Sequence, residues 1–124
     1  MTKHMLVVDS AAPVFLAYRQ QFERQGVMID ACVTYEAAIA LMNKRSYDVA
    51  LVDVWQAGIW QKNGLDLLCL LRERKPDVKI ILMTAIESDD AQKRGQDLGA
   101  AFFFEKPVFT STIFEALKEL GITK

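Results

Sequence analysis

The chain lacks any long apolar run: no stretch approaches the roughly 20 consecutive apolar residues that a membrane-spanning helix requires. The short run MLVV at 5–8 leads directly into Asp9 and has no small-residue cleavage site, so it does not match a secretory signal. We therefore expect a cytoplasmic protein with no membrane contact.

An excess of positive charge is also lacking. The 15 Lys and Arg residues and 16 Asp and Glu residues give a net charge of −1, which provides no general attraction to nucleic acid. Cysteine is scarce: Cys32 and Cys69 have no CxxC spacing and lie in apolar segments. We expect two reduced core thiols in preference to a disulfide or a metal pair, and we do not expect redox chemistry to be the main function.

The 124 residues that are present have an ordinary globular composition, 52% hydrophobic and 25% charged. A chain of this length buries one core well, and no linker, repeat or low-complexity segment divides it. We expect residues 1–124 to form a single domain with no output domain.

Strand-like and helix-like segments alternate along the chain. Thr34 is the expected N-cap of the second helix, Pro13 suits the first turn of the first helix, and Pro76 ends the third. Alternation of this kind predicts an α/β fold with a parallel sheet covered by helices on both faces. The predicted strands are 4–9, 27–33, 47–53, 78–83 and 100–105, and the predicted helices are 13–25, 35–45, 65–75, 88–98 and 109–120.

Polar residues follow four of the five predicted strands. In a doubly wound sheet, ligands bind beyond the carboxyl ends of the strands, so these residues are the candidates for a functional site. Taken singly, each is equally explained as a helix cap, a loop polar group or a surface charge. They are Asp9 with Ser10, Asp53, Thr84, and Lys106 with Pro107.

Together these groups suit phosphoryl transfer onto a carboxylate. Asp53 ends the central strand and is the best-placed nucleophile, and an anion that attacks a phosphoryl group needs charge neutralisation. A hard cation such as Mg²⁺, held by one or two carboxylates, would supply much of it. Lys106 can pair with a phosphate oxygen, and the Thr84 hydroxyl can donate to another.

The ordered set of motifs resembles the receiver domains of two-component response regulators over essentially the whole chain. The motifs are LVVD at 6–9, VALVD at 49–53, GLDLL at 64–68, ILMTA at 81–85 and FFFEKP at 102–107. The resemblance implies a flavodoxin-like doubly wound (βα)5 fold whose five-stranded parallel sheet has the order 2-1-3-4-5.

The resemblance also implies a role for each site residue. Asp53 is the phosphoacceptor, Asp9 lies in the acidic Mg²⁺ pocket, Thr84 is the hydroxyl that moves toward the phosphoryl group, and Lys106 is its ion-pair partner. The resemblance further implies that the Lys106–Pro107 peptide bond is cis. It also implies that Phe103 is an aromatic switch residue, whose side chain changes rotamer.

Two positions depart from the family pattern. Receiver domains usually carry a second acidic metal ligand directly after the first, and Ser10 occupies that place here. A neutral hydroxyl is a poorer Mg²⁺ ligand, so we expect weak metal binding, while Ser10 also suits a helix cap. The resemblance also implies that the backbone carbonyl of Trp55, two positions after Asp53, faces the metal. The loop 54–63 is longer than in the family, which we interpret as an insertion able to displace this carbonyl. Trp55 and Trp60 are interpreted as local packing, a partner-binding patch or a lid.

The leading hypothesis is a signalling domain, not an enzyme, that takes a phosphoryl group from a sensor histidine kinase or phosphotransfer protein. Phosphorylation then changes the surface formed by the fourth helix, the fifth strand and the fifth helix. This surface binds an output domain or a partner protein, or a second copy of the chain to form a homodimer. The alternative is a phosphorylation-independent interaction module of the same fold. A flavodoxin-like electron carrier is a weaker hypothesis because the segment DSAAPV after the first strand lacks the loop that would bind a flavin phosphate. A phosphatase with an Asp nucleophile is also a weaker hypothesis, because such enzymes usually have a second Asp two residues later and Trp55 occupies that position.

Overall fold

The computed structural model describes residues 2–9, 13–53, 55–56, 59–60, 62–84 and 89–124. This part of the chain contains seven strands and five helices, which alternate except that β3, β4 and β5 follow one another directly. The strands are β1 (Lys3–Val8), β2 (Val27–Cys32), β3 (Val49–Asp53), β4 (Trp55–Gln56), β5 (Ile59–Trp60), β6 (Lys79–Thr84) and β7 (Phe102–Glu105). The helices are α1 (Val14–Phe22), α2 (Tyr35–Lys44), α3 (Lys62–Arg74), α4 (Asp89–Asp97) and α5 (Thr110–Glu119).

Five of the strands form one parallel sheet in the order β2-β1-β3-β6-β7. Because β4 and β5 lie outside this sheet, β6 and β7 are its fourth and fifth strands in chain order. The predicted doubly wound fold with order 2-1-3-4-5 is therefore confirmed.

The helix ends follow the predicted signals. A short 3₁₀ turn at Glu23–Gln25 extends α1 as far as Gly26, whose φ of 83° is the left-handed conformation that glycine adopts without strain. The side chain of Thr34 accepts a hydrogen bond from the Ala37 amide at 3.1 Å, so Thr34 is the predicted N-cap of α2.

Both faces of the sheet are apolar because successive strand residues point to opposite sides. In β1, Leu6 and Val8 pack with α2 and α3, whereas Met5 and Val7 pack with α1 and α5. All four side chains are fully buried. This explains why the strands read as continuous hydrophobic runs instead of alternating patterns.

Residues 54–63 contain a feature that the sequence did not predict. β4 and β5 pair as a two-stranded antiparallel hairpin, with Trp55 opposite Trp60 and Gln56 opposite Ile59. α3 then begins at Lys62, three residues before the predicted start. The side chains of Trp55 and Trp60, on which the packing, patch and lid interpretations depend, lie outside the described part of the structure.

One prediction about the cysteines is wrong. Cys32 is buried at the end of β2, as expected, but Cys69 is exposed on α3 and is not a core thiol. Leu67, Leu68 and Leu71 carry the buried face of α3, and position 69 falls between them on the solvent side. A short apolar run on a helix does not by itself show which residue points outward.

Candidate functional site

The amine of Lys106 lies between two carboxylates at the carboxyl edge of the sheet. Its Nζ atom donates to Oδ2 of Asp9 and to Oδ2 of Asp53, each at 2.9 Å. The three residues therefore form one cluster, as the sequence predicted. Two carboxylates and one ammonium leave one formal negative charge, which favours a bound cation.

The fold brings these residues together through strand order alone. β1 and β3 are neighbours in the sheet, so Asp9, directly after β1, and Asp53, the last residue of β3, reach the same edge. Lys106 directly follows β7, and its amide donates to the Thr84 carbonyl at 2.7 Å. The Lys106–Pro107 bond is cis, as the resemblance implied.

The polar residues of the cluster are almost completely removed from solvent. The exposed fractions of Asp9, Asp53 and Thr84 are 1%, 2% and 2%, and these are the only buried polar or charged residues in the described ranges. Because buried charges are costly unless they are paired, this concentration at one sheet edge indicates a site rather than a solvated surface.

Lys106 remains a cation in this environment. Burial by itself lowers the pKa of Lys106, but hydrogen bonds and charges from Asp9 and Asp53 outweigh that effect and raise the pKa above its ordinary value. The Lys106 side chain is 23% exposed, so it is less completely buried than the two carboxylates that it contacts.

Thr84 and Phe103, the residues of the switch hypothesis, lie on the neighbouring strands β6 and β7. Asp53 pairs with Met83 in the register between β3 and β6, so Thr84 lies one residue further toward the same edge. Phe103 is partly buried and packs against the core between the sheet and α3. Phe102 and Phe104 face the opposite side, where their rings stack 5.6 Å apart.

An apolar cavity of about 400 Å³ opens beside the cluster. Val14 and Tyr18 of α1 form one wall, and Pro107 and Val108 form another, with Met83 also lining the cavity. Asp9 and Lys106 contribute to the lining as well, so the cavity and the charged cluster are continuous.

Two tyrosines near the site carry no signal in the sequence. The Tyr35 hydroxyl donates to the backbone carbonyl of Asp53 at 2.7 Å, and the Tyr18 hydroxyl contacts the Met83 sulfur at 4.0 Å. Burial is the largest cause that raises the pKa of both phenols. The next largest cause is the negative charge of Asp53 at Tyr35 and of Asp9 at Tyr18. Nothing in the pattern around either residue indicated a partner so distant in the chain.

The donor set fits a hard cation. Asp9 and Asp53 offer carboxylate oxygens, which are the ligand type that Mg²⁺ prefers, and Mg²⁺ commonly keeps several waters beside one or two carboxylates. In the described ranges there is no group of three or more His, Cys, Asp or Glu residues that could hold a metal. Ser10 lies outside those ranges, and of Trp55 only its place in β4 is described.

Comparison with known proteins identifies the family. The model of the response regulator receiver domain family matches residues 5–118. The chain belongs to this family. Receiver domains are signalling domains of two-component systems that generally bind Mg²⁺, and they are not enzymes in the usual sense.

Curated relatives are similar over nearly the whole receiver domain. The regulatory protein RegA of Cereibacter sphaeroides is 25% identical over 119 residues, which cover 96% of this chain and 63% of RegA. The chain spans less than two thirds of this relative and of RegA from Rhodovulum sulfidophilum. Sporulation initiation phosphotransferase F of Bacillus subtilis is 24% identical, with 96% of this chain and 94% of that protein covered.

Solved structures share the fold of the receiver domain. A CheY-like receiver domain from Methanospirillum hungatei has a TM-score of 0.87 and 24% identity, covering 98% of this chain and 95% of its own. A Burkholderia pseudomallei response regulator, crystallised with a phosphorylated aspartic acid and a calcium ion, has a TM-score of 0.81 and 23% identity. The match covers 93% of this chain and 66% of that protein.

None of the described helices is long and apolar enough to cross a membrane.

Proposed function

We propose that the receiver domain accepts a phosphoryl group on Asp53 from the phosphohistidine of a sensor histidine kinase or phosphotransfer protein. The observation that carries this proposal is the position of the Lys106 amine, 2.9 Å from both the Asp53 and the Asp9 carboxylates. A buried carboxylate beside a fixed cation is the arrangement that nucleophilic attack on a charged phosphoryl group requires.

In the transfer step, a carboxylate oxygen of Asp53 attacks the phosphorus. An O–P bond forms as the P–N bond to the donor imidazole breaks, and the imidazole leaves with the electron pair and takes a proton. Lys106 would then exchange one carboxylate contact for a phosphoryl oxygen, which neutralises part of the negative charge. Thr84 would donate its hydroxyl to another phosphoryl oxygen.

Asp9, Asp53 and the backbone carbonyl of Trp55 are the proposed Mg²⁺ ligands. A bound Mg²⁺ supplies charge neutralisation between the carboxylates and the incoming phosphate. We expect the affinity to be weak because Ser10 replaces an acidic ligand, so the site depends on Asp9 and Asp53.

The proposed response is a shift between two conformers. Attraction of Thr84 toward the phosphoryl group would favour reorientation of Phe103, whose ring lies near Gly95 of α4. Such a change alters the face formed by α4, β7 and α5, to which an output domain, a partner protein or a second copy would bind.

The surface beside the site suits docking of the phosphodonor protein. The apolar cavity between α1 and the segment after β7 adjoins Lys106. Two large apolar residues are exposed on the same two segments of the chain: Leu16 (63%), two residues after Val14, and Phe109 (74%), directly after Val108. An exposed apolar surface next to a charged reaction centre fits a transient protein partner. We propose that residues 1–124 act as one receiver unit, located in the cytoplasm and without direct contact to nucleic acid.

The proposal is tested by incubating the domain with Mg²⁺ and acetyl phosphate and measuring its intact mass. Wild type should gain one phosphoryl group, and chelation of Mg²⁺ should suppress the gain. The matched control is Asp53→Asn, which keeps the shape of the side chain but is a poor nucleophile. Absence of an adduct in wild type at high Mg²⁺ would contradict the proposal.

A second candidate is an interaction module that does not depend on phosphorylation. The observation that favours it is that the described part of the chain brings only two carboxylates together at the site, and Ser10 and the hairpin β4–β5 add to it. On this account Asp9 and Asp53 serve to hold Lys106, and Asp53→Ala leaves partner affinity almost unchanged. A partner that binds the phosphorylated form more tightly by tenfold or more would exclude this candidate.

A further inference from the structure

Tyr35 contacts the backbone of the proposed phosphoacceptor Asp53, whereas Lys106 contacts its side chain. Its hydroxyl donates to the Asp53 carbonyl oxygen at 2.7 Å, and the bond is buried. Tyr35 is the first residue of α2 and directly follows the N-cap Thr34. The start of α2 is therefore linked to the last residue of β3.

This bond acts at the last residue of β3, where the sheet supports the chain on one side only, through the pairing of Asp53 with Met83. The register between β1 and β3 ends with Val8 opposite Val52, so Asp53 has no register partner in β1. Only two residues later, Trp55 begins the hairpin β4–β5. The carbonyl that Tyr35 binds belongs to the peptide unit that leads from Asp53 into this segment, so the bond restrains the direction in which the chain leaves the strand.

The ring of Tyr35 holds the hydroxyl in place. Tyr35 is 5% exposed and belongs to the core cluster that also contains Val52 and Leu68. A ring packed on several sides has little rotational freedom, and a buried phenol that loses its acceptor pays the cost of an unsatisfied donor. The hydroxyl therefore acts as a fixed donor, not as an adaptable one.

We propose that Tyr35 is a positioning residue for the Asp53 site, an inference that rests on the proposed phosphoryl transfer. Tyr35 contacts neither the phosphoryl group nor the cation. Through the Asp53 carbonyl it fixes the backbone that aims the Asp53 carboxylate at Lys106. It also fixes the path to residue 55, whose backbone carbonyl is the proposed third Mg²⁺ ligand.

Tyr47 provides a matched control. It is 7% exposed, lies in the same core cluster, and donates its hydroxyl at 2.7 Å to Oδ2 of Asp30. It precedes β3, at the end of the strand opposite to Asp53. Tyr35→Phe and Tyr47→Phe therefore remove the same atom from the same core, and they differ in whether the lost bond reaches the site.

The experiment measures the rate of acetyl phosphate labelling for wild type, Tyr35→Phe and Tyr47→Phe over a series of Mg²⁺ concentrations. Small misplacements of reacting groups are costly in rate, so we expect Tyr35→Phe to be labelled roughly tenfold more slowly and to need more Mg²⁺ for half-maximal rate. Tyr47→Phe should stay within about twofold of wild type. Both variants should lower the melting temperature by a similar few degrees.

Tryptophan emission gives a second readout that a purely structural role would not change. The chain has two tryptophans, Trp55 and Trp60, and both lie in the hairpin that follows Asp53. Loss of the Tyr35 hydroxyl should change the emission spectrum of the folded protein and its response to Mg²⁺. Loss of the Tyr47 hydroxyl should leave both unchanged.

Each result decides the inference. If wild type is labelled but Tyr35→Phe and Tyr47→Phe have the same labelling rate, Mg²⁺ dependence and emission, the inference is overturned. The proposed function then remains intact. An unfolded Tyr35→Phe would also overturn it, because the hydroxyl would then serve folding and not positioning. Failure of wild type to be labelled would remove the proposed function and this inference with it.

Discussion

The Nζ atom of Lys106 and the Oδ2 atom of Asp53 lie 2.9 Å apart, although the two residues are separated by 53 positions in the sequence. The same amine reaches Asp9, 97 positions away. A single lysine therefore connects the ends of the first, third and fifth strands of the parallel sheet. The predictions below follow from this contact and from the polar interactions around it.

Lys106→Met should lower both stability and phosphorylation. It leaves two buried carboxylates close together without their cation, and hydrogen bonds to charged groups contribute roughly 1–3 kcal/mol. We expect a loss of that order in the free energy of unfolding, measured with urea at neutral pH and low salt, with partial recovery on addition of Mg²⁺. Lys118→Met is the matched control because Lys118 is half-exposed and its contact with Glu115 is 3.7 Å. Equal losses in the two variants would contradict the account.

The contribution of Lys106 should also disappear at alkaline pH. Because the pKa of Lys106 is raised in the folded state above its ordinary value of 10.5, its stabilisation is complete below pH 10.5 and is lost as the pH rises through the folded value. The difference in unfolding free energy between wild type and Lys106→Met should be constant from pH 8 to 10 and then shrink. If the difference in unfolding free energy grows above pH 10.5, the pKa of Lys106 is not raised in the folded state and the account is contradicted.

Ser10→Asp should increase the affinity for Mg²⁺ by roughly tenfold, because it adds a carboxylate to a site that depends on two. The measurement is a Mg²⁺ titration followed by calorimetry or tryptophan emission. Ser46→Asp is the control for added charge, since Ser46 is exposed and precedes β3 at the end of the sheet remote from Asp53. If the two variants bind Mg²⁺ equally, Ser10 is not the cause of weak binding.

All three tyrosines should lose their phenolic protons at a higher pH in the folded protein than in the unfolded chain. Burial is the largest cause of the raised pKa at Tyr18, Tyr35 and Tyr47, and nearby carboxylates add to it. Spectrophotometric titration should show phenolate near pH 10 in urea, but only above pH 10 in the folded chain. Unfolding then releases protons, so stability should fall as the pH rises above 10. A tyrosine that titrates at or below its ordinary value in the folded domain would contradict the described burial.

Arg72→Met should destabilise the domain far more than Arg74→Met. The Arg72 guanidinium donates to four backbone carbonyls, which join α3 to the end of α4 and to the start of β6: Leu98, Gly99, Pro76 and Val78. Arg74 makes one exposed contact, to Asn43. Urea unfolding should show a loss of about 1–3 kcal/mol for Arg72→Met and less than about 0.5 kcal/mol for Arg74→Met. Similar values for the two would mean that the Arg72 contacts contribute little.

The fold was predictable because local signals and strand composition agreed. Apolar strands such as VALV can be buried on both faces only in a parallel sheet covered by helices, and Thr34 and Gly26 mark helix ends by their own chemistry. The charged part of the site followed from the same reasoning, because residues that end parallel strands meet at one edge.

Other features could not be read from the sequence. The hairpin β4–β5 consists of two residue pairs, too short for a periodic signal, and it was expected as an irregular loop. The bond from Tyr35 to Asp53 depends on how α2 packs against the end of β3, which no local pattern encodes. Cys69 was assigned to the core because hydrophobicity alone does not fix the rotation of a helix about its axis.

The central claim is that Asp53 is the residue that receives the phosphoryl group, and reductive trapping tests it most directly. Wild type is labelled with acetyl phosphate and Mg²⁺ and treated with borohydride, which reduces an acyl phosphate to an alcohol, and its peptides are then sequenced by mass spectrometry. The account predicts homoserine at position 53 and at no other aspartate, with no product from Asp53→Asn. Trapping at Asp9 or elsewhere, or an unmodified Asp53 under saturating conditions, would contradict it.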